Sequence, residues 1–322
     1  MASPNLNEIV TTTLRNRTKD MVDAYTHNTA LLYKINERGN KRLISGGRTI
    51  VNEMAYAENG TFQFYSGYDT LNVSPSDVFT AAEYNWKQAA VAVTWSGLER
   101  LQNSGPEAVL DLLEERITNA EGTMMDNMST GLYSDGTGYS GKQIGGLQLL
   151  VSDSGLGTVG GISANTWSFW RNQVYSFATN GQVAGAGTIQ DAMNRMWLST
   201  KRNRDQVDLI VADNNYYTFY WESLQPQQRF TDSKLADAGF DNLKYKQSDV
   251  VADGGLGGDA PANRMYFLNT KYLKLVVHKD CDMVPLGPGE RAAINQDASV
   301  KLIGWAGNLT TSNRRQQGIL TP

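Results

Sequence analysis

The sequence predicts an α+β protein, with helices and strands mixed rather than alternating in the strand–helix–strand rhythm of a parallel sheet. Three observations predict this class. From Gly105 to about Gly131, apolar residues recur at helical spacing for about six turns. Short segments near residues 48–56, 87–95, 264–268 and 273–278 have the alternation or apolar runs of strands. The connections between them are long and rich in Gly, Asn and Ser.

Taken in order, residues 5–35 read as a helical arm, with Ser3 as its cap and Pro4 in the first helical position. Its apolar stripe (Leu6, Ile9, Val10, Leu14, Met21) is thin, which fits a helix packed on something other than a core. After the Ser45-Gly46-Gly47 break, Arg48–Tyr56 is a strand, and Lys87–Trp95 is a second one with Val91, Val93 and Trp95 on one face. About thirty residues rich in Gly, Asn, Ser and aromatics separate them, a connection long enough to imply a function of its own. Residues 47–96 therefore read as one long two-stranded excursion. An isolated ribbon of two strands is marginal in water, so this one needs a surface to lie on.

The long helix opens on Ser104 and Glu107, a capping box with Pro106 in the first turn. Val109, Leu112, Leu113, Ile117, Ala120, Met124 and Met128 form its stripe. That spacing fits a helix laid along a sheet and fits an ordinary core helix equally. Gly145–Val151 reads as a short strand, and Trp167–Trp170 as an aromatic cluster opening the next segment. Thr188 caps a helix with Ile189, Ala192, Met193, Met196 and Trp197 on one face. Val207–Ala212 is a buried-type strand, followed by a helix from Asn214 to Leu224 capped by Asp213. Strands at Arg264–Leu268, Leu273–His278 and Ser299–Trp305 complete the chain.

Composition excludes several functional classes. The 322 residues carry a net charge of −4 and 19% charged residues. A sequence-specific DNA binder carries a basic face and a high pI, so contact with nucleic acid here is expected to be weak and non-specific. Charged residues fall below the roughly 25% usual for globular domains, as they do in the centres of protein interfaces. Cys281 is the single cysteine, so an intrachain disulfide and a Cys-rich zinc site are both excluded. No run of about 18 apolar residues could span a bilayer, and the first residues lack the pattern of a signal peptide.

Chemistry is sparse. His27 and His278 are the only histidines. A Cys–His hydrolase pair is conceivable at His278 and Cys281, and the Gly/Ser/Asn/Thr-rich loops would suit a surface adhesin. These are the alternatives to a structural role. The Asp135-Gly136-Thr137-Gly138 turn lacks the ligand series of a calcium loop, and Gly254–Gly258 lacks the Lys-Ser/Thr of a phosphate-binding loop. Adjacent carboxylates such as Glu114-Glu115 point about 100° apart on a helix and cannot act as an acid/base pair. No catalytic residue, cofactor or metal ligand is assigned.

Charge is distributed unevenly. Residues 1–48 hold Arg15, Arg17, Lys19, Lys34, Arg38, Lys41, Arg42 and Arg48 against four carboxylates, a net of +4. Residues 49–86 hold Glu53, Glu58, Asp69, Asp77 and Glu83 with no Lys or Arg, a net of −5. The acidic ribbon also carries Phe62, Phe64, Tyr65, Tyr68 and Phe79. Aromatic anchors beside complementary charge are the pattern of a subunit interface. The expected intersubunit contacts are therefore Phe62, Phe64, Tyr65, Tyr68, Asp69, Asp77 and Phe79 on the ribbon, and Arg15, Arg17, Lys19, Lys34 and Arg38 on the arm.

The order of elements, and the stretches Tyr65–Leu71, Ala81–Gln88, Gly131–Gly138, Ile144–Gln148 and Thr166–Asn172, resemble the major capsid proteins of tailed bacteriophages. The likeness is densest from about residue 50 to 225. It implies the Hong Kong 97 type of coat fold and a subunit that self-assembles, as pentamers and hexamers, into an icosahedral shell around double-stranded DNA. It also implies a division into an N-terminal arm (1–46), an extended loop overlapping a neighbour (47–96), a peripheral domain with a spine helix (97–164), an axial domain (165–285) and a C-terminal return to the peripheral domain (286–322). The implied partners are a separate scaffolding protein, a portal, a decoration protein and, non-specifically, packaged DNA, with assembly in the host cytoplasm and no membrane.

Two departures from that pattern matter. Some relatives cross-link the extended loop through a lysine, and here no Lys lies between Arg48 and Lys87. Some relatives carry an internal scaffolding segment of about a hundred residues before the arm, and this chain opens on Met1 close to the arm. The expectation is an untrimmed protein, so that the intact mass of purified shells matches the full chain.

Overall fold

Small and β-branched residues alternating from Lys87 onward build the strand around which much of the chain is organised. The computed structural model describes residues 30–102, 106–224, 242–253, 259–287, 291–292 and 297–322. Within them the chain runs through α1 (Ala30–Glu37), β1 (Lys41–Ile44), β2 (Ile50–Ala55), β3 (Phe79–Tyr84), β4 (Lys87–Ser96), α2 (Gly97–Gln102) and α3 (Pro106–Leu132). A small hairpin, β5 (Thr158–Val159) and β6 (Ile162–Ser163), is followed by β7 (Gln173–Ser176), α4 (Ile189–Thr200), β8 (Leu209–Ala212) and α5 (Asn214–Ser223). The strands β9 (Asn242–Tyr245), β10 (Ser248–Ala252), β11 (Met265–Leu268), β12 (Leu273–His278), β13 (Val284–Pro285), β14 (Arg291–Ala292), β15 (Ala298–Thr311) and β16 (Gly318–Thr321) complete it.

The strands form two six-stranded sheets. The first is centred on β15, whose 14 residues pair antiparallel with β4 from Ser96↔Ala298 to Lys87↔Gly307 and with β12 from Leu273↔Thr311 to Val277↔Gly307. β1 adds parallel to β12, and β13 and β14 pair with β15. β4 shows the period-2 burial of a half-covered strand, with Val93 and Trp95 inside and Ala92 and Thr94 outside. α3, 27 residues and so about 40 Å long, packs on β4. Its buried stripe is Ile117, Ala120, Met124, Met128 and Leu132. Of the two readings of this helix, the one laid along a sheet is the one realised.

The second sheet has the order β7-β16-β11-β8-β10-β9. Leu209, Val211, Tyr266, Leu268, Val251 and Ile319 face one core, shared with α1, α3 and the first sheet. Their neighbours Ile210, Ala212, Met265, Phe267, Val250 and Leu320 face a second core under α4 and α5. A sheet covered on both faces has no polar side, which is why Leu209–Ala212 reads as a continuous apolar run. Asp213 caps α5 as expected, accepting the Tyr216 N–H at 3.0 Å.

Several expectations are corrected. The excursion is narrower than residues 47–96: β2 pairs with β3, from Ile50↔Tyr84 to Ala55↔Phe79, and β4 belongs to the first sheet. Gly145–Val151 is not a strand. Leu147–Leu150 makes one helical turn, because Gly146 lies against the Leu132 carbonyl where a Cβ would overlap it. Thr188 does not cap α4 through its side chain; its hydroxyl instead donates to the Val183 and Gly185 carbonyls. Residues 165–285 are not one body, since β12 lies in the first sheet. Residues 286–322 return to that sheet through β15, then cross over, and β16 sits between β7 and β11 in the second.

The last part of the arm is also built into the subunit. Leu31, Leu32 and Ile35 of α1 are fully buried. The helical reading of residues 5–29 and the capping box at Ser104 lie outside the described residues.

Candidate subunit-contact surface

The base of the ribbon is anchored in its own subunit. Ile50, Asn52, Ala82 and Tyr84 are buried, and the Tyr84 hydroxyl donates to the Thr311 carbonyl at 2.9 Å. The Glu83 N–H donates to the Gly160 carbonyl at 3.0 Å. Gly160 has φ +59° and would place a Cβ 2.7 Å from that of Ala82, so only glycine allows β5–β6 to approach this closely.

Beyond Tyr56 the anchoring changes kind. Residues 57–77 are held by polar bonds and not by a core. The Asn59 carboxamide oxygen accepts from the Thr61 N–H at 3.1 Å and from the Ser76 hydroxyl at 3.0 Å. Asp69 accepts the Ser66 N–H at 2.8 Å, and the Gln63 amide donates to the Thr70 carbonyl at 3.1 Å. On this polar frame the apolar side chains point outward. Phe62 is 77% exposed, Phe64 94%, Tyr68 106% and Phe79 78%. Phe62 and Phe64 meet each other edge to face, with centroids 5.3 Å apart. Contiguous apolar patches of this kind mark interaction surfaces.

The structure thus places Phe62, Phe64, Tyr65 and Tyr68 on one exposed tip, with Asp69 as a turn residue among them. Phe79 and Asp77 sit lower. They line a cleft of about 790 Å3 with Tyr56, Glu83, Trp167 and Phe169. Leu71 and Val73, exposed at the same tip, were missed; their alternation around Asn72 was the available signal.

The arm cations divide. Lys34 bridges to Asp249 and Glu37, each at 3.0 Å, and Arg38 to Asp208 at 3.0 Å. Both are therefore matched within their own chain and fix α1 against the second sheet. Arg15, Arg17 and Lys19 lie outside the described residues.

The conceivable nucleophile pair is not arranged for catalysis. The Cys281 thiol is pushed up by burial and by the charge of Asp282, which disfavours the reactive thiolate. The Nδ1 of His278 accepts the Asp280 N–H at 3.2 Å, and its ring lies edge-on to Trp86. The Asp135 carboxylate accepts the Thr137 N–H and hydroxyl at 2.9 and 2.8 Å, the turn chemistry expected of it. Among the described residues there is no cluster of His, Cys, Asp and Glu that could hold a metal, and no helix long and apolar enough to cross a membrane.

Two six-stranded sheets, a 27-residue helix on the first of them and an unanchored ribbon tip can be compared with solved structures. The capsid asymmetric unit of cyanophage A-1(L) matches with a TM-score of 0.64 at 19% identity, over 89% of this chain and 92% of that one. The chain has the Hong Kong 97-type coat fold. The capsid of a native GTA particle matches with a TM-score of 0.54 at 11% identity, over 89% of each chain. A structure from Mycobacterium phage Bobi gives 0.53 at 12% identity, over 88% of this chain and 89% of that one. No family model and no curated protein matches the sequence.

Proposed function

We propose that this coat-fold chain is a major capsid protein, whose copies build an icosahedral shell around a double-stranded DNA genome. The observation that carries the reading is the ribbon tip. A subunit that buries Trp170 and Trp305 completely leaves Phe64 and Tyr68 in water on a frame with no core. Such a tip gains its packing from a neighbour, and regular repetition of one contact generates a closed shell. Phe62, Phe64, Tyr65, Tyr68 and Asp69 are assigned to that contact, with Phe79 and Asp77 at its edge and Arg15, Arg17 and Lys19 as complementary charges on the adjacent copy. The first sheet with α3 corresponds to the peripheral domain and the second sheet with α4 and α5 to the axial domain. Pentamers and hexamers, a separate scaffolding protein, a portal and assembly in the host cytoplasm follow from the same reading.

Electron microscopy and sedimentation velocity of the expressed protein test it. Megadalton particles, or pentamers and hexamers that convert to them, are the expected species. A monomer or a small closed oligomer at all concentrations would refute the proposal.

A further inference from the structure

Two turns at one end of the second sheet gather four exposed cations. Lys201, Arg202, Asn203 and Arg204 follow α4, and all four are exposed. The Arg202 and Asp205 backbones close this turn on each other at 2.8 and 2.9 Å, with Asn203 at φ +56° at its tip. Lys246, also at φ +56°, forms the tip of the β9–β10 hairpin. The Gln206 side-chain amide donates to the Gln247 side-chain Oε1 and ties the two turns together. Both ammonium groups converge on one indole, Lys246 Nζ at 3.9 Å and Lys201 Nζ at 4.8 Å from the Trp197 ring centre. The Lys246 ammonium is pushed down by burial and by the charge of Lys201.

Among the described residues the nearby carboxylates have closer partners of their own, although Asp205 also feels the charge of Arg202. Asp205 accepts Lys271 Nζ at 2.7 Å and the Tyr272 hydroxyl at 2.6 Å. Asp191 pairs with Arg195, Asp208 with Arg38 and Asp249 with Lys34. Among the described residues none of Lys201, Arg202, Arg204 and Lys246 forms an ion pair. The dipole of α4 accounts for Lys201 at the helix end. Lys246 Nζ also donates to the Asn194 carboxamide oxygen at 2.6 Å, a neutral partner that leaves its charge unmatched, as are those of Arg202 and Arg204.

We propose that Lys201, Arg202, Arg204 and Lys246 form a phosphate-backbone contact for double-stranded DNA, a deepening of the coat-protein reading on which it rests. Four cations on two joined turns call for a partner of high anion density. B-form DNA supplies one charge per about 1.7 Å of axis, and guanidinium forks match phosphate oxygens. The acidic ribbon of another copy is the less dense partner: it carries five carboxylates, with Glu53 and Glu83 neighbours across β2–β3, and Asp69 already holds the Ser66 N–H. Phosphate contacts carry no sequence information, so the contact is independent of base sequence.

The test is fluorescence anisotropy of a 30-base-pair duplex of arbitrary sequence with dispersed full-length subunits between 50 and 200 mM salt. Four phosphate contacts give a log–log slope of about −3.6, an affinity loss of about 150-fold over that range. Arg202→Ala/Arg204→Ala should halve the slope, leaving a loss of about 12-fold, with an unchanged urea midpoint. Lys142→Ala/Lys279→Ala, removing equal charge elsewhere, should keep the wild-type slope. Absence of duplex binding at 50 mM salt, or equal slopes for wild type and the Arg202/Arg204 variant, would overturn the proposal. So would a variant that binds DNA normally yet fails to form capsomers, since the platform would then serve a protein partner. Failure of the coat reading looks different: the slope behaves as stated, yet no large particle forms from wild type or variant.

Discussion

Replacing Phe64 by Ser separates folding from assembly. Its ring is 94% exposed and pairs edge to face with Phe62, so the isolated subunit loses almost no burial and its stability should change by less than about 0.5 kcal/mol. Burying a Phe side chain fully is worth about 1.5–3 kcal/mol. If the tip docks on a neighbour, nearly all of that sum is gained on assembly, because almost none has been gained on folding. Each subunit donates one ribbon, so each loses one such contact. At about 1.4 kcal/mol per tenfold, the critical concentration for particle formation should rise about 10- to 100-fold. Light scattering against subunit concentration measures that threshold, and urea unfolding of the dispersed subunit provides the folding control. An unchanged threshold would refute the docking argument. A large fall in the urea midpoint would show that the tip has a core partner within its own chain.

Three other expectations follow from particular residues. Asp69→Lys with Asp77→Lys should lower particle yield while leaving the subunit folded; each surface pair is worth only about 0–1 kcal/mol, so the effect depends on repetition around the shell, and normal yield would count against charge complementarity. Asp213→Ala removes the acceptor of both the Tyr216 N–H at 3.0 Å and the Asn263 N–H at 2.8 Å. A lost cap and a half-exposed loop donor left without its partner together cost about 1–3 kcal/mol in urea unfolding, and Asp213→Asn, which keeps one acceptor oxygen, should cost about half. Asp253 is pushed up to about 6 by burial, with the charge of Asp259 adding and its bond from the Tyr133 hydroxyl opposing. A carboxyl that holds its proton more tightly when folded contributes stability below its unfolded pKa of 3.8 and loses it as pH rises through about 6. Asp253→Asn should therefore exceed wild type in urea midpoint above pH 6, with the gap closing from pH 6 to pH 4; a gap that widens on acidification would contradict the assignment.

Much of the secondary structure was legible because helix and strand periods are local properties. The α3 stripe from Ile117 to Met128, the β4 alternation and the Asp213 cap depend on residues within a few positions of one another, and each was read correctly. The aromatic and acidic character of residues 49–86 was equally visible. The basic turn at residues 201–204 was not singled out, because the partner that makes it a platform, Lys246, is joined to it only in space.

Pairing across long separations was decided by the tertiary structure. β3 (Thr80-Ala81-Ala82-Glu83-Tyr84) carries little intrinsic strand signal, and it forms because Ala82 and Tyr84 have a core to enter. The partner of β4 lies about 200 residues further on, and β16 is drawn into the second sheet by a slot between β7 and β11 that exists only once both are in place. Arg314 is the sharpest case. As a sequence it reads as a surface cation. In the fold it is fully buried, its Nε donating to the Leu150 carbonyl at 2.7 Å and its guanidinium to Asn172 at 3.0 Å. Local periodicity records which face of an element is apolar, whereas the choice of what that face meets depends on contacts whose loop-closure cost is met only when the whole core assembles.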